Sequence, residues 1–382
     1  MTALLSALAT PAVPAGPAGL SALAKPPCAF PAQSRVLFAI VRREKEIFLP
    51  DPDFSNPDAF AHADCVWPDV LPTRAEPAAW RALLEDIRPD VIVSAWRTPP
   101  LPVDWITGGD GTNDGSDGVS CPLRYVCHLT GTVRQKVPRV FLERGGLVTN
   151  WGGQVARQVA EHALLLALAV LRRAPAWLGA QETFSVGKTR ICNANTRTLC
   201  DRRIGIHGCG GVARALAAFL KPFTQDIACF SAGVPASVIR TAGMEPAGSL
   251  AGLFSGREIL FECEALTPVN DRCVDAALLG RLPDGALFVN VARGQLVDEI
   301  ALLHEVRSGR LQAALDVLAV EPVPADSPWR TLPGAIWSPH IAGPTSDMMP
   351  RIGSAAMQNL ASYLAGGPLS HLVSLEAYDR AT

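Results

Sequence analysis

Long apolar runs and an excess of either charge are both missing from this sequence. The longest purely apolar run covers residues 163–171, whereas a helix needs about 20 residues to span a membrane. The 34 basic and 36 acidic side chains nearly cancel, so no basic surface is expected to hold nucleic acid or an anionic membrane. We therefore expect a globular protein that binds small molecules and neither nucleic acid nor membrane.

The ten cysteines lack the spacing of a metal site or a disulfide framework. None forms a Cys-x-x-Cys pair, and none lies at zinc-ligand spacing from a histidine. Cys229 and Cys263 fall in apolar stretches, where a reduced thiol packs as a small hydrophobic side chain. These absences predict no metal site and a reducing, cytoplasmic location.

The start of the chain lacks the features of a targeting signal. Alanine, proline and glycine dominate residues 1–33, and Lys25 is their only charged side chain. A secretory signal requires a positive segment before its apolar core, and a mitochondrial presequence requires arginines. We interpret residues 1–33 as a disordered extension or a misassigned start.

The sequence is organised around a glycine-rich turn at residues 203–213. An apolar strand ends at Gly208, and a helix follows, giving the pattern G-x-G-x-x-A between a strand and a helix. Gly210 lets a pyrophosphate approach the backbone, and Ala213 lets the helix pack close to the strand. A glycine-rich turn of some other α/β protein is the alternative. The residues expected to bind the cofactor phosphates are Gly208, Cys209, Gly210, Gly211, Val212 and Ala213.

Strands and helices alternate along the rest of the chain. The linking helix at 154–173 is apolar on nearly all sides, so we expect it to be buried between two bodies. Before it, strands are expected at 35–41, 90–95 and 123–129, a helix at 77–87, a Pro- and Asp-rich loop between the first strand and that helix, and a flexible insertion at 108–118.

After the linking helix, the alternation predicts a doubly wound parallel sheet. The segment before the helix predicts a smaller α/β domain. The expected strands are 204–207, 227–230, 258–262, 286–291, 313–317 and 335–338, and the expected helices are 212–221, 235–242, 273–280, 298–308, 327–331 and 349–365.

Reactive side chains follow three of these strands. Because ligands bind beyond the carboxyl ends of parallel strands, we expect Arg293, Glu321 and His340 to meet beside the phosphate turn. Taken singly, each has an ordinary interpretation: a solvated arginine, a turn-forming glutamate or a core histidine. Taken together, they suit hydride transfer between a nicotinamide and a 2-oxo or 2-hydroxy acid.

Each of these side chains has an expected role in that chemistry. His340 would exchange a proton with the substrate oxygen, and Glu321 would fix its tautomer and favour the imidazolium. Arg293 would hold the substrate carboxylate with its planar fork. Asp316 would meet the carboxamide of the nicotinamide.

The same residues resemble the D-isomer-specific 2-hydroxyacid dehydrogenases over residues 123–367. The most specific segments are 289–298, 315–322 and 338–343, with further matches at 159–162 and 265–268. The resemblance implies the family's catalytic arginine, glutamate and histidine at Arg293, Glu321 and His340. It also implies a homodimer that uses NAD or NADP. Three parts are expected: the extension 1–33, a flavodoxin-like substrate domain from 34–150 and 347–382, and a Rossmann-type domain from 151–346.

Departures from the family pattern fall on the substrate and cofactor loops. Thr130 and Gly131 take the place of the loop that binds the substrate carboxylate, but Val133 replaces its second glycine. We therefore expect an unusual substrate pocket. Cys263 stands where the family often has histidine, and both it and Ala292 are expected to contact the cofactor.

The choice between NAD and NADP is open in the sequence. Ser231 ends the second strand of the sheet, where an acidic residue would bind the ribose hydroxyls of NAD. Serine does not repel a 2′-phosphate, yet no arginine follows it directly. NADP is therefore permitted and NAD is not excluded.

Two classes of function remain after these observations. The first is a reductase or dehydrogenase for glyoxylate-, hydroxypyruvate- or phosphoglycerate-type acids. The second is a nicotinamide-sensing binding protein, like the family's corepressors, with little or no turnover. Formate dehydrogenase fits poorly, because those relatives carry glutamine where Glu321 stands here.

Overall fold

The computed structural model describes residues 34–50, 60, 63–108, 121–175 and 195–380. The expectations for residues 1–33 and for nearly all of the insertion at 108–118 lie outside the described residues. In the part of the chain that is described, no helix is long and apolar enough to cross a bilayer.

The first sheet contains five parallel strands, in the order β2-β1-β3-β4-β5. This is the order typical of flavodoxin-like domains, which confirms the predicted class. Helices cover both faces, and every residue of the central strands β3 and β4 is buried. The strands are β1 (Ser34–Ala39), β2 (Ala63–Val66), β3 (Val91–Ser94), β4 (Tyr125–His128) and β5 (Leu147–Thr149), and the helices are α1 (Arg42–Phe48), α2 (Pro77–Ile87), α3 (Val103–Thr107) and α4 (Arg139–Glu143).

Two of these elements correct the sequence analysis, which expected a loop between the first strand and α2. Helix α1 is short and mostly charged, so it shows little apolar periodicity. Its Glu44 is buried and accepts hydrogen bonds from the backbone N–H groups of Val41 and Arg97, at 3.1 and 2.7 Å. Strand β2 is a half-buried edge strand of four residues. Tertiary contacts stabilise both elements more than local sequence does.

The linking helix α5 (Ala156–Leu171) packs against α6 (Gly211–Leu220). Buried alanines lie on both sides of this contact, including Ala160, Ala163 and Ala213. Their small side chains allow the two helices to approach closely, which fixes α5 against the second sheet.

The second sheet contains seven parallel strands, in the order β12-β11-β10-β9-β6-β7-β8. The chain runs outward in opposite directions from β6 and β9, so these neighbours form a topological switch point, where ligands bind. The predicted doubly wound sheet is confirmed. Its strands are β6 (Ile204–His207), β7 (Ile227–Phe230), β8 (Glu245–Pro246), β9 (Ile259–Glu262), β10 (Leu287–Asn290), β11 (Gln312–Leu315) and β12 (Ala335–Trp337).

The helices of the second sheet are shorter than predicted in two places. The expected helix at 273–280 is a single turn capped by Asp275, and the expected helix at 327–331 is the 3₁₀ turn Pro328–Arg330. The α-helices after α6 are α7 (Ala236–Thr241), α8 (Leu250–Phe254), α9 (Ala276–Leu279) and α10 (Glu299–Arg307).

The end of the chain packs on the first sheet. Helix α11 (Met349–Leu364) contacts α1 and β4, and α12 (Leu375–Arg380) contacts α4. A Cβ on Gly353 would lie 1.8 Å from the carbonyl oxygen of Phe48, so only glycine permits this approach of α11 to the first sheet. The chain therefore crosses between the two sheets twice, once in each direction.

Candidate active site

A cavity of about 1480 Å³ lies between the carboxyl ends of the two sheets. Both sheets contribute to its lining. From the first sheet come Thr130 and Gly131, and from the second come Arg293, Asp316 and His340. The structure therefore brings the predicted substrate and catalytic residues to one cleft.

His340 and Glu321 form a hydrogen-bonded pair in this cleft. His340 Nδ1 lies 2.7 Å from Glu321 Oε2, and the other carboxylate oxygen accepts the N–H of Leu318 at 3.0 Å. The imidazole is half exposed, at 47% of its side-chain surface. With Nδ1 held by the carboxylate, Nε2 is the nitrogen left to exchange a proton with a ligand.

Asp316 holds the loop that carries His340. Its carboxylate accepts hydrogen bonds from the backbone N–H groups of Ile341 and Ala342, at 2.9 and 3.0 Å, and from Ser338 Oγ at 2.6 Å. His340 has φ +54°, a left-handed conformation that needs support from its surroundings. The structure therefore gives Asp316 a positioning role, and its contact with the cofactor stays a prediction.

The same loop is tied to the linking helix. His162 of α5 lies 2.8 Å from Ser338 Oγ, within hydrogen-bond distance, and 3.5 Å from the carboxylate of Asp316. The helix that joins the two sheets thus contacts the segment that orients the imidazole of His340.

Arg293 is held beside this pair by a close backbone contact. A Cβ on Gly294 would lie 2.0 Å from the carbonyl carbon of Leu318, so glycine is required for the two loops to meet. Burial lowers the pKa of Arg293 from its ordinary value, and the negative charge of Glu321 opposes that shift. The guanidinium stays charged, since arginine titrates far above neutrality. Arg293, Glu321 and His340 are therefore neighbours, as the strand exits predicted.

The phosphate turn has the shape that a dinucleotide requires. Gly208 has φ +97°, and a Cβ there would lie 2.7 Å from the backbone of Cys263. Gly210 caps α6 and has no atom near its Cβ position, so the helix N-terminus is open. Ala213 is fully buried against the core. An anion can therefore reach the backbone N–H groups of the first turn, and these residues fit a pyrophosphate.

Ser231 has an acidic partner that sequence reasoning missed. Its hydroxyl donates a hydrogen bond of 2.6 Å to Glu264 Oε2, and the other oxygen of Glu264 accepts the N–H of Ala265 at 3.0 Å. Glu264 follows β9, whereas Ser231 follows β7. The signal in the sequence was the charge of Glu264 itself, just after a strand that is mostly apolar.

The substrate loop corrects the expectation about Val133. Its side chain is fully buried in the apolar core below the first sheet and does not line the cavity. A Cβ on Gly131 would lie 2.4 Å from the indole nitrogen of Trp151, so glycine is needed there. Thr130 points its hydroxyl at His128 Nε2, 2.7 Å away. The valine therefore changes the support of the loop and not the surface of the pocket.

Cys263 and Ala292 are not among the described residues that line the cavity. Burial raises the pKa of the Cys263 thiol well above its ordinary value, so the thiol stays protonated at neutral pH. The carbonyl of Ala292 accepts a hydrogen bond of 2.7 Å from Arg293 Nη1. Contacts of either residue with the cofactor stay predictions. Among the described residues, no cluster of three potential ligands could hold a metal ion.

The part of the chain that contains the second sheet matches a known protein family. Residues 164–342 match the family model described as D-isomer specific 2-hydroxyacid dehydrogenase, NAD binding domain. D-3-phosphoglycerate dehydrogenase of Mycobacterium leprae is 30% identical over 230 residues, which is 58% of this chain and 42% of the relative. Glyoxylate/hydroxypyruvate reductase B of Citrobacter koseri is 37% identical over 102 residues, 26% of this chain and 32% of the relative.

A solved structure matches nearly the whole chain. The phosphoglycerate oxidoreductase of Rhizobium etli is 26% identical, with a TM-score of 0.67, and the match covers 88% of this chain and 97% of that one. By contrast, the chain spans less than half the length of the curated phosphoglycerate dehydrogenase that it matches.

Proposed function

We propose that the chain is a member of the D-isomer specific 2-hydroxyacid dehydrogenase family, whose NAD binding domain model matches residues 164–342, and that it is an NAD(P)-dependent enzyme that interconverts a small 2-hydroxy acid and its 2-oxo acid. The observation that carries the proposal is the His340–Glu321 pair, 2.7 Å apart, in one cavity with Arg293. Residues 34–150 with 347–382 form the substrate domain, and residues 151–346 form the dinucleotide domain.

The chain's own residues manage the substrate and one proton. The bound nicotinamide supplies or accepts the hydride. Arg293 binds the substrate carboxylate through its planar guanidinium. In the reducing direction, His340 Nε2 gives its proton to the substrate oxygen, while Glu321 orients the ring through Nδ1. In the oxidising direction, the same nitrogen takes the proton back.

The partners and location that go with this function are also proposals. The enzyme works as a homodimer in the cytoplasm and binds small molecules without nucleic acid. Sedimentation equilibrium of the purified protein tests the dimer, since a monomer mass at micromolar concentration contradicts it.

A cofactor and substrate panel tests the activity. The purified chain is mixed with NADH or NADPH and with glyoxylate, hydroxypyruvate or 3-phosphohydroxypyruvate, and nicotinamide absorbance is followed. We expect turnover of at least one acid. Tight binding of reduced cofactor without turnover of any acid overturns the proposal and supports a sensing protein.

A further inference from the structure

The first-sheet side of the cavity carries positive charge that the proposed chemistry does not use. Arg74 follows β2, Arg97 follows β3, and both Arg134 and Lys136 follow β4. With Arg293, five cationic side chains line the cavity among the described residues, and the acids that line it there are Asp271 and Asp316. One of these acids, Asp316, already accepts hydrogen bonds from the His340 loop.

Backbone carbonyls hold Lys136 beside Arg97. Lys136 Nζ donates hydrogen bonds of 2.6 Å to the carbonyl oxygens of Trp96 and Thr98, the residues that flank Arg97 in the chain. Burial and the charges of Arg74 and Arg97 lower the pKa of Lys136, while Glu44 opposes the shift. Arg74 and Arg97 are therefore each close enough to Lys136 to repel its ammonium.

Among the described residues, Glu44 is the one acid that acts on Lys136, in the cluster formed by Arg74, Arg97 and Lys136. Within the described residues, no acidic side chain forms an ion pair with any of the three. Glu44 is the nearby carboxylate, and it accepts the backbone N–H groups of Val41 and Arg97. Like charges gathered at a ligand cavity are stabilised when an anion binds there.

The cofactor phosphates do not account for this charge. They belong at Gly210 and the N-terminus of α6, on the second sheet, whereas the cluster lies on loops of the first sheet. A substrate with one carboxylate is already served by Arg293. The cluster therefore has room for a further anionic group.

We propose that the substrate carries a second anionic group besides its carboxylate, and that Arg97, Arg74 and Lys136 bind that group. The inference rests on the proposed function and narrows it to 2-hydroxy acids with a phosphate, sulfonate or second carboxylate on the distal carbon. The enzyme should prefer such acids, because a substrate with a neutral distal group brings no negative charge to balance the three cations.

Matched substrate pairs test this directly. Glycerate is compared with 3-phosphoglycerate, and lactate with sulfolactate and malate, so that each pair differs at the distal carbon. We expect at least one dianionic acid to have a kcat/KM about 100-fold or more above its neutral counterpart, and the three arms distinguish phosphate, sulfonate and carboxylate.

The variant Arg97→Gln separates this subsite from the catalytic groups. It should raise KM for the preferred dianionic acid about 10- to 100-fold with little change in kcat, and leave the neutral counterpart within about threefold. Arg74→Gln should act in the same direction. Arg43→Gln, an exposed arginine of α1 that does not line the cavity, is the matched control.

The outcomes separate the two proposals. Preference for a neutral acid, or an Arg97→Gln variant with unchanged KM, overturns the dianion subsite and leaves the dehydrogenase standing. Absence of turnover with every acid overturns both.

A second inference comes from the Ser231–Glu264 hydrogen bond. Strand β6 and its Gly208 turn lie between β7 and β9, so Glu264 reaches across the turn to the end of β7. Dinucleotide folds that select NAD have an acid at the end of this strand, where Ser231 stands. We infer that Glu264 supplies that missing negative charge from the neighbouring loop and makes the protein prefer NAD to NADP.

Cofactor binding without substrate tests this role. Nicotinamide fluorescence gives the Kd of NADH and NADPH for the unmodified chain and for Glu264→Gln. We expect NADPH to bind at least about tenfold more weakly than NADH, and the variant to narrow this ratio to about threefold by tightening NADPH. Glu245→Gln, an exposed glutamate of β8, is the control. Equal affinities in the unmodified chain, or an unchanged ratio in the variant, overturn the inference.

Discussion

A buried histidine ends one interior strand in each sheet, and the partners of the two histidines differ. His128 ends β4 of the first sheet and lies between the hydroxyls of Ser94 and Thr130, at 2.8 and 2.7 Å. His207 ends β6 of the second sheet, and its Nδ1 lies 2.7 Å from the carboxylate of Glu262. Both rings are buried.

The chemistry of the partner decides the protonation of each ring. Burial lowers the pKa of His128 to about 3, because the hydroxyls carry no charge that could stabilise an imidazolium. Burial acts in the same direction on His207, but the carboxylate of Glu262 overcomes it and raises the pKa. His340 also has a carboxylate partner, and it is the one of these rings left half exposed at the cavity.

The Glu262 pair also supports the cofactor loop. The second oxygen of Glu262 accepts the backbone N–H of Glu264 at 2.9 Å. The buried pair of His207 and Glu262 thus fixes the loop whose side chain reaches Ser231. In the first sheet, neutral hydroxyls are the partners of His128, at the start of the loop of Thr130.

Removing the negative charge at Glu262 should have the largest effect on stability. Glu262→Gln leaves His207 buried without its carboxylate, and we expect a loss of about 3–5 kcal/mol in the free energy of unfolding. Urea unfolding at pH 7 measures it, with Glu245→Gln as the control. If Glu262→Gln lowers the free energy of unfolding no more than Glu245→Gln does, the carboxylate of Glu262 does not stabilise His207 as expected.

Removing the catalytic imidazole should lower activity and leave stability nearly unchanged. We expect His340→Ala to reduce kcat by about 10²-fold or more, as for the loss of a general acid. Steady-state kinetics on the preferred acid measure it, and His304→Ala, an exposed histidine of α10, is the matched control. Unchanged kcat removes His340 from the proton transfer.

Removing a hydroxyl partner of His128 should have a smaller effect than removing the carboxylate partner of His207. Ser94→Ala leaves one ring nitrogen without its partner, at a cost of about 1–3 kcal/mol. Thermal or urea unfolding is compared with Ser237→Ala on the exposed face of α7. If Ser94→Ala costs as much stability as Glu262→Gln, a neutral hydroxyl supports its histidine as strongly as a carboxylate does, and the expected difference between the two histidines is wrong.

The pH dependence of stability should separate the two rings. The folded pKa of His128, about 3, lies below the ordinary 6.5, so its contribution is present above pH 6.5 and is lost as the pH falls toward 3. The loss is at most about 1.4 kcal/mol per pH unit. The contribution of His207 is present below pH 6.5 and is lost as the pH rises through its raised folded pKa.

Urea unfolding at several pH values checks this sign. Between pH 6.5 and 4.5, the stability of His128→Asn should fall less steeply than that of the unmodified chain. If the free energy of unfolding falls with pH equally steeply in the variant and the unmodified chain, His128 is not held neutral in the folded state.

Regular, strongly apolar elements could be predicted from local sequence. The bounds of α2 and of strands β6 and β7 agree with the prediction to the residue. Their ends carry local signals, such as Pro77 at the start of α2. Helix α1 was missed because its stability depends on buried Glu44 and on distant backbone groups.

The catalytic neighbourhood could also be predicted, because it follows from a rule about strand ends. Arg293, Glu321 and His340 each follow a parallel strand, and parallel strands place their exits on one edge. The role of Glu264 could not be predicted. Its partner Ser231 is 33 residues away along the chain, and the two meet only because β6 lies between β7 and β9.

The sequence by itself determined the α/β alternation, the phosphate turn and the reactive strand exits, since each depends on residues close together in the chain. Tertiary structure alone decided the protonation of the buried histidines, the partner of Ser231 and the cation cluster of Arg97 and Lys136. These depend on charge and burial across distances that the order of residues does not record. Val133 illustrates the division, because only the folded chain shows that its side chain turns into the core.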